Sequence, residues 1–297
     1  MAARPRRLAA ALTRETRAVA ILAAVAFALG SCSTRTPESA PASPGAASAA
    51  SGRPAWMLTR SALSQLMTDA TAKAVLEHSR VYQILRIGQK PVTDVGTTVP
   101  VVSFPSAAEL VRAVTRRQLP AGTRAVLYDP EAWSYTPATE QRDPVQAAQQ
   151  ALSVAHAHGL QLIVTPALNL TTVAAEAPGP RWRRFLDLRL AGSIAKVSDV
   201  IELQAQSLER DATTYAAFVQ AAAAQARAAN PGVTVLAGLS TNPPGAAVDS
   251  QQLTAAIRAT SRVVNGYWLN VPGRGPLCPT CNAPRPDIGS QVLRDAS

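Results

Sequence analysis

Short apolar runs alternate with longer amphipathic or Ala-rich stretches through residues 54–297, and that rhythm predicts the elements. The strand-like runs are Val81–Ile87, Val99–Phe104, Arg124–Tyr128, Gln161–Thr165, Val200–Leu203, Val233–Gly238 and Val264–Leu269, with Trp56–Leu58 as a candidate eighth. Helices are expected over Ser61–His78, Ser106–Arg117, Pro144–His158, Trp182–Ala195, Thr213–Ala229 and Ser250–Ser261. Several boundaries have local causes. Asp143-Pro144 supplies a capping carboxylate followed by the ring that suits a first helical turn. Gly159, after His158, can take the left-handed conformation that ends a helix. Asn230-Pro231-Gly232 stops the long Ala-rich helix.

Repeated strand–helix units imply parallel strands joined by right-handed crossovers. Their even spacing predicts an α/β fold, a TIM-like (β/α)-barrel rather than an open doubly wound sheet. Gly88–Thr98 reads as a loop or hairpin instead of a helix, so the barrel is expected to be irregular at its first strands.

Residues 1–53 follow a different pattern. Arg4, Arg6, Arg7, Arg14 and Arg17 precede an apolar run, Ala18–Gly30, of 13 residues. A membrane-spanning helix needs about 20 apolar residues, and a shorter run after a basic start is the core of an export signal. Leu29-Gly30-Ser31-Cys32 resembles the lipobox of bacterial lipoproteins, which implies cleavage before Cys32 and lipidation of its thiol. The alternative is an ordinary signal peptide with a chance cysteine. The expected organisation is a signal peptide at 1–31, a lipidated Cys32 with a flexible Ser/Ala/Pro linker to 53, and a barrel domain over 54–297. The linker has almost no large apolar residue and cannot bury enough surface to fold. The expected location is extracytoplasmic, anchored by lipid to the outer face of the cell membrane. The Ala, Arg and Pro bias fits a high-GC, actinobacterial source.

The formal charge is +10. Five Arg and one Glu in residues 1–31 account for +4 of this, leaving about +6 on the remainder. That charge is dispersed, with doublets at Arg116-Arg117 and Arg183-Arg184. Nucleic acid is therefore not an expected partner, whereas anionic lipid or wall polymer is compatible. Beyond Cys32 the cysteines are Cys278 and Cys281, in Cys-Pro-Thr-Cys. A lone pair of this spacing lacks the second ligand pair of a structural zinc site. It also lies in a Pro- and Gly-rich stretch rather than at a strand-to-helix junction. The expectation is a short disulfide that stiffens a loop in an oxidising compartment. No metal or cofactor is expected. There is no G-x-G-x-x-G, P-loop or G-x-S-x-G, and His156 and His158 are too close in sequence to face one ion from a regular helix.

In a parallel barrel the working residues sit at the C-terminal ends of the strands. Four groups fall there. Asp129-Pro130-Glu131-Ala132-Trp133 follows one strand and runs on to Glu140-Gln141. Acid, carboxylate and ring are what glycoside chemistry requires: one protonates the leaving oxygen, one stabilises the oxocarbenium ion, one stacks on the sugar. Asp129 as a turn cap and Glu131 as a solvated side chain is the rival reading. Glu202, Gln204 and Gln206 share one strand face by period-two alternation, with Ile201, Leu203 and Ala205 on the other. A polar face inside a barrel implies a wet cavity, a ligand or a structural network. Ser240-Thr241-Asn242 and Trp268-Leu269-Asn270 complete the set, with Trp268 either a stacking platform or a lid over the core. The candidate catalytic residues are Glu131 or Asp129 as acid and Glu202 as base or nucleophile. The candidate binding residues are Trp133, Gln204, Gln206, Ser240, Asn242, Trp268 and Asn270.

Through AVLYDPEAWSYTP, AHAHGLQLIVTP, DVIELQAQ, LAGLSTNP and GYWLNVP the chain resembles actinobacterial secreted proteins related to glycoside-hydrolase-like TIM barrels. The resemblance covers most of residues 99–272 and implies carbohydrate-active ancestry without an assigned activity. Two departures bear on it. Retaining glycosidases of the large (β/α)8 clan place Glu after strands four and seven; with Trp56–Leu58 as the first strand, Glu131 follows the fourth, but the seventh ends in Ser240-Thr241. Chitinase-type enzymes carry Asp-x-x-Asp-x-Asp-x-Glu, of which Asp129-x-Glu131 matches the tail. A membrane-tethered glycan hydrolase and a non-catalytic glycan- or wall-binding lipoprotein both remain open.

Overall fold

The computed structural model describes residues 52–174, 178–243, 247–275, 278 and 281–296. The expected signal peptide, Cys32 and nearly all of the linker lie outside the described residues. Eight parallel strands close into a barrel in sequence order: β1 Ala55–Thr59, β2 Arg80–Leu85, β3 Thr97–Phe104, β4 Ala125–Tyr128, β5 Gln161–Val164, β6 Val200–Leu203, β7 Thr234–Ser240 and β8 Gly266–Asn270. Closure is made by β1 and β8, where Ala55, Trp56 and Met57 pair with Gly266, Tyr267 and Trp268. Trp56–Leu58 is thus part of the first strand, and the fold is a (β/α)8 barrel.

Alternation divides each strand between two cores. Met57, Tyr82, Val101, Leu127, Ile163 and Leu236 belong to a cluster inside the barrel. Their neighbours Trp56, Val102, Val126, Val164 and Val235 belong to the larger cluster beneath the helices. A closed barrel has no free edge, so all eight strands are buried on both faces and read as near-continuous apolar runs.

The helices are α1 Arg60–Leu66, α2 Ala70–Glu77, α3 Ala107–Thr115, α4 Ala138–Arg142, α5 Pro144–Ala157, α6 Thr171–Ala174, α7 Arg181–Asp187, α8 Leu190–Ala195, α9 Ala212–Ala229, α10 Ser250–Thr260 and α11 Pro286–Asp295. Two expected helices are each divided. Ser61–His78 breaks after Met67 because the Asp69 side chain accepts from the amides of Thr71 and Ala72 and starts a new helix. Trp182–Ala195 breaks at Arg189, whose φ of 51° is incompatible with helix continuation. The other caps follow the sequence: Asp143 accepts from the Gln146 amide ahead of α5, and Gly159 has φ 69°. No helix separates β2 from β3, which is the expected irregularity near the start.

α4, α6 and α11 were not predicted. α11 follows β8 and packs against α10, α2 and α1, burying Ile288, Val292 and Leu293, and Gly289 lies against Leu66 of α1. Its apolar positions are few, and the preceding Pro-rich stretch masks the period. Among the described residues no helix is long and apolar enough to cross a membrane.

Candidate functional site

The barrel mouth is built by ladder hydrogen bonds that continue one step past the strands. The Asp129 amide donates to Phe104 O at 2.9 Å and the Thr165 amide to Tyr128 O at 3.0 Å. Strand parity therefore persists, and Asp129, like Ala125 and Leu127, faces the interior. There the Asp129 carboxylate accepts at Oδ1 from Thr165 Oγ1 (2.5 Å) and from Gln204 Nε2 (2.9 Å). The same Gln204 nitrogen also donates to Thr165 O at 2.8 Å. Three consecutive strand ends, β4 to β6, are thus joined at one carboxylate oxygen.

Two residues on, Glu131 is half-buried and held less firmly. Asn169 Nδ2 reaches its Oε2 at 3.4 Å, while Asn169 Oδ1 accepts from the Ala132 amide at 2.9 Å. The loop beyond is rigid: Thr136 Oγ1 accepts from the Glu131 amide and from Trp133 Nε1, and donates to Pro105 O at 2.8 Å. Trp133 packs edge-on against Tyr135, with ring centroids 5.1 Å apart, and Tyr135 is exposed at the rim. Glu140 serves elsewhere. It accepts from Ser106 Oγ and from the Ala107 and Ala108 amides, and so caps α3.

Glu202 projects from β6 into the barrel, on the polar face expected of it, but it is wholly buried and neither carboxylate oxygen has a partner among the described residues. It packs with Gln206 against Gly238 of β7. Burial, then the charges of Asp129 and Glu131, push its proton affinity far above the usual glutamate range. Asp129 is pushed up to about 6 by burial, against which its bonds from Thr165 and Gln204 pull down. Glu131 is pushed up to about 7 by burial and by the neighbouring Asp129 charge, opposed by the Asn169 bond. The three carboxyls expected at the mouth thus lie within one another's fields. Glu202, expected as base or nucleophile, presents no exposed carboxylate oxygen to the mouth in this structure.

The binding candidates divide similarly. Trp268 belongs to the interior cluster, 9% exposed, with Nε1 unpartnered among the described residues, so it roofs the barrel core at the floor of the mouth. Asn270 is half-buried at the end of β8, and its backbone carbonyl accepts from the Thr241 amide. Ser240 and Asn242 have structural partners instead of free groups. Ser240 Oγ accepts from the Asn242 amide, and Asn242 Nδ2 donates to Pro272 O, Asn282 O and Ala283 O at 3.3–3.4 Å. Asn242 thereby latches the segment that carries the Cys278–Cys281 disulfide, which is formed. Gln204, expected to contact substrate, donates from its amide nitrogen to Asp129 Oδ1 and Thr165 O.

Four residues at this end of the barrel escaped the sequence reading. Thr165 and Asn169 bracket the β5 loop and hold the two β4 carboxylates. Glu209 is buried, accepts from the Ser240 amide at 2.8 Å and has its other oxygen unpartnered among the described residues. Tyr215 donates to Gly238 O at 3.1 Å from beneath α9. The residues Asp129-x-Glu131 and the Thr ending the next strand were the available signal for the first pair; Glu209 had none, since it sits in an ordinary polar loop. A cavity of about 290 Å³ lies at the opposite end, by Val264, Asn265 and Tyr267, away from every candidate. Among the described residues no three His, Cys, Asp or Glu side chains are grouped to hold a metal ion.

No family model matches the chain, and no curated protein matches it in sequence. Solved structures do resemble it. The spore cortex-lytic enzyme SleL of Bacillus megaterium is 9% identical at a TM-score of 0.47, over 82% of this chain and 74% of that one. A chitinase from Chromobacterium violaceum is 11% identical at 0.45, over 82% and 99%. Triosephosphate isomerase from Bartonella henselae is 11% identical at 0.38, over 73% and 92%. The closed order of eight strands, rather than these likenesses, establishes the barrel.

Proposed function

We propose that the protein is a glycan-handling (β/α)8 barrel, tethered by lipid outside the cell membrane, in which Glu131 acts as general acid beside a charged Asp129. The observation that carries this reading is the contrast between two carboxyls two residues apart. Asp129 accepts two hydrogen bonds on one oxygen, and Glu131 accepts one long one. The first environment favours the carboxylate and the second the acid. In hydrolysis Glu131 would give its proton to the leaving oxygen as the anomeric C–O bond breaks. Asp129 would stabilise the positive charge that develops, and water would add to the anomeric carbon and return its proton to Glu131. Trp268 and the Trp133–Tyr135 pair supply apolar surface for sugar C–H faces. Export and lipidation at Cys32 are supported by the basic start, the apolar run and the Leu-Gly-Ser-Cys motif of residues 1–32.

The test is turnover against a broad glycan panel by wild type and Glu131→Gln. Loss of about two or more orders of magnitude in kcat with binding intact supports the reading. A second reading, binding without turnover, is favoured by the end of β7 in Ser240 and the burial of Glu202, so that among the described residues no exposed carboxyl stands on β6 or β7 opposite Glu131. Binding by wild type with no hydrolysis of any glycan selects it.

A further inference from the structure

We infer that Gln204 is a positioning residue: with Thr165 it clamps one oxygen of Asp129, leaves the other to the site, and thereby assigns the charge to Asp129 and the proton to Glu131. The inference rests on the acid–base reading above, but its content is a property of the unliganded protein.

The geometry is one of unequal support. Oδ1 of Asp129 receives Thr165 Oγ1 at 2.5 Å and Gln204 Nε2 at 2.9 Å, while among the described residues no bond is made to Oδ2. Gln204 is itself held by its second bond, to Thr165 O at 2.8 Å, so the clamp is a closed triangle of β4, β5 and β6. A side chain committed to two acceptors cannot rotate to follow a substrate without abandoning Asp129. Hydrogen bonds donated to a carboxylate favour its charged form, and two acidic groups this close do not share the charge evenly. Among the described residues the Glu131 carboxyl has only Asn169, at 3.4 Å.

Among the described residues the ionisable groups that interact with Asp129 are Glu131 on the extension of its strand, Glu202 from β6, and Tyr128, whose side chain points the other way, beneath the helices. None is a cation. The neutral donors on β5 and β6 are therefore what distinguishes the two carboxyls, since burial acts on both in the same direction. A lone acidic pair would leave the choice of proton holder to whichever side chain a ligand happened to touch. The clamp makes that choice before ligand arrives, which is preorganisation.

The experiment is carbon-detected NMR titration of the side-chain carboxyls in the intact barrel, in wild type, Gln204→Met and Thr165→Val. In wild type Asp129 is expected to titrate below Glu131. Gln204→Met keeps the length and removes the donor, and should raise the Asp129 midpoint by about one pH unit while lowering that of Glu131. Thr165→Val should act in the same direction and serves alone if the first variant does not fold. An unmoved Asp129 midpoint in a folded variant, or Glu131 titrating first in wild type, overturns the inference. No glycan enters the measurement. The expected titrations together with a failed glycan panel would sink the hydrolase and keep the clamp.

Discussion

The Glu202 carboxyl lies against Gly238, with Oε1 2.5 Å from where a β-carbon on that glycine would stand. The Gln206 amide approaches the same point, closer still. Gly238 is therefore the vacancy in β7 that lets an acid and an amide pack side by side within a barrel. Gly238→Ala should cost about 1–3 kcal/mol in urea unfolding, because the added methyl meets polar atoms in a closed space. Gln206→Ala in the same chain should recover much of that loss, since the nearest obstacle is the end of a flexible side chain. Strict additivity of the two substitutions would show that they do not share this space.

Stability should fall as pH rises. Glu202 and Glu209 are both pushed well above the usual 4.5 by burial, so the folded state holds protons that the unfolded chain releases. Asp129 and Glu131, at about 6 and 7, act in the same sense over narrower windows. The unfolded state therefore binds fewer protons than the native one from pH 4.5 upward, and the unfolding free energy declines across that range. Asp69 and Asp211, lowered chiefly by the hydrogen bonds of their own helix caps, oppose this only near and below 3.8. Urea midpoints at about pH 5 and about pH 8 should differ, and Glu202→Gln should shrink the difference. An unchanged slope in that variant would contradict the burial of a protonated Glu202.

Glu140 should matter to folding and not to chemistry. Its two oxygens take three donors at the start of α3, including the Ala107 amide at 2.8 Å. Glu140→Ala leaves those donors unpaired and should cost about 2–3 kcal/mol by denaturation. The titrations of Asp129 and Glu131 should stay where they are, and a shift in either would mean that α4 also shapes the mouth.

The latch at Asn242 predicts a local effect. Its amide nitrogen serves Pro272, Asn282 and Ala283, and Cys281 Sγ approaches Asn242 O at 3.9 Å. Asn242→Ala should cost about 1 kcal/mol and speed amide exchange at Arg274, Gly275 and Cys278. These amides donate within the same segment. Exchange unchanged there would show that the disulfide alone holds the segment.

Much of this arrangement was legible along the chain. Glu202 was assigned to the inward polar face of its strand by alternation alone and Asp129 to a strand end, and the field of Asp129 reaches Glu202. The clamp on Asp129 was not legible, because its donors stand 36 and 75 residues away. The role of Glu140 was hidden for the same reason, at 32 to 34 residues from its partners. Asn242 looked like a free amide because nothing local says that three carbonyls from the last loop will converge on it.

The alternation of side chains is a property of the extended backbone, so the sequence by itself determined the strands, their inward faces and the closed parallel barrel they build. Depth is not a property of the strand. How far Glu202 sinks, which oxygen of Asp129 is taken, and which amides are left for a ligand depend on how distant loops close over the strand ends. Tertiary structure alone decided those points, since burial and hydrogen-bond partners come from whatever segment packs alongside.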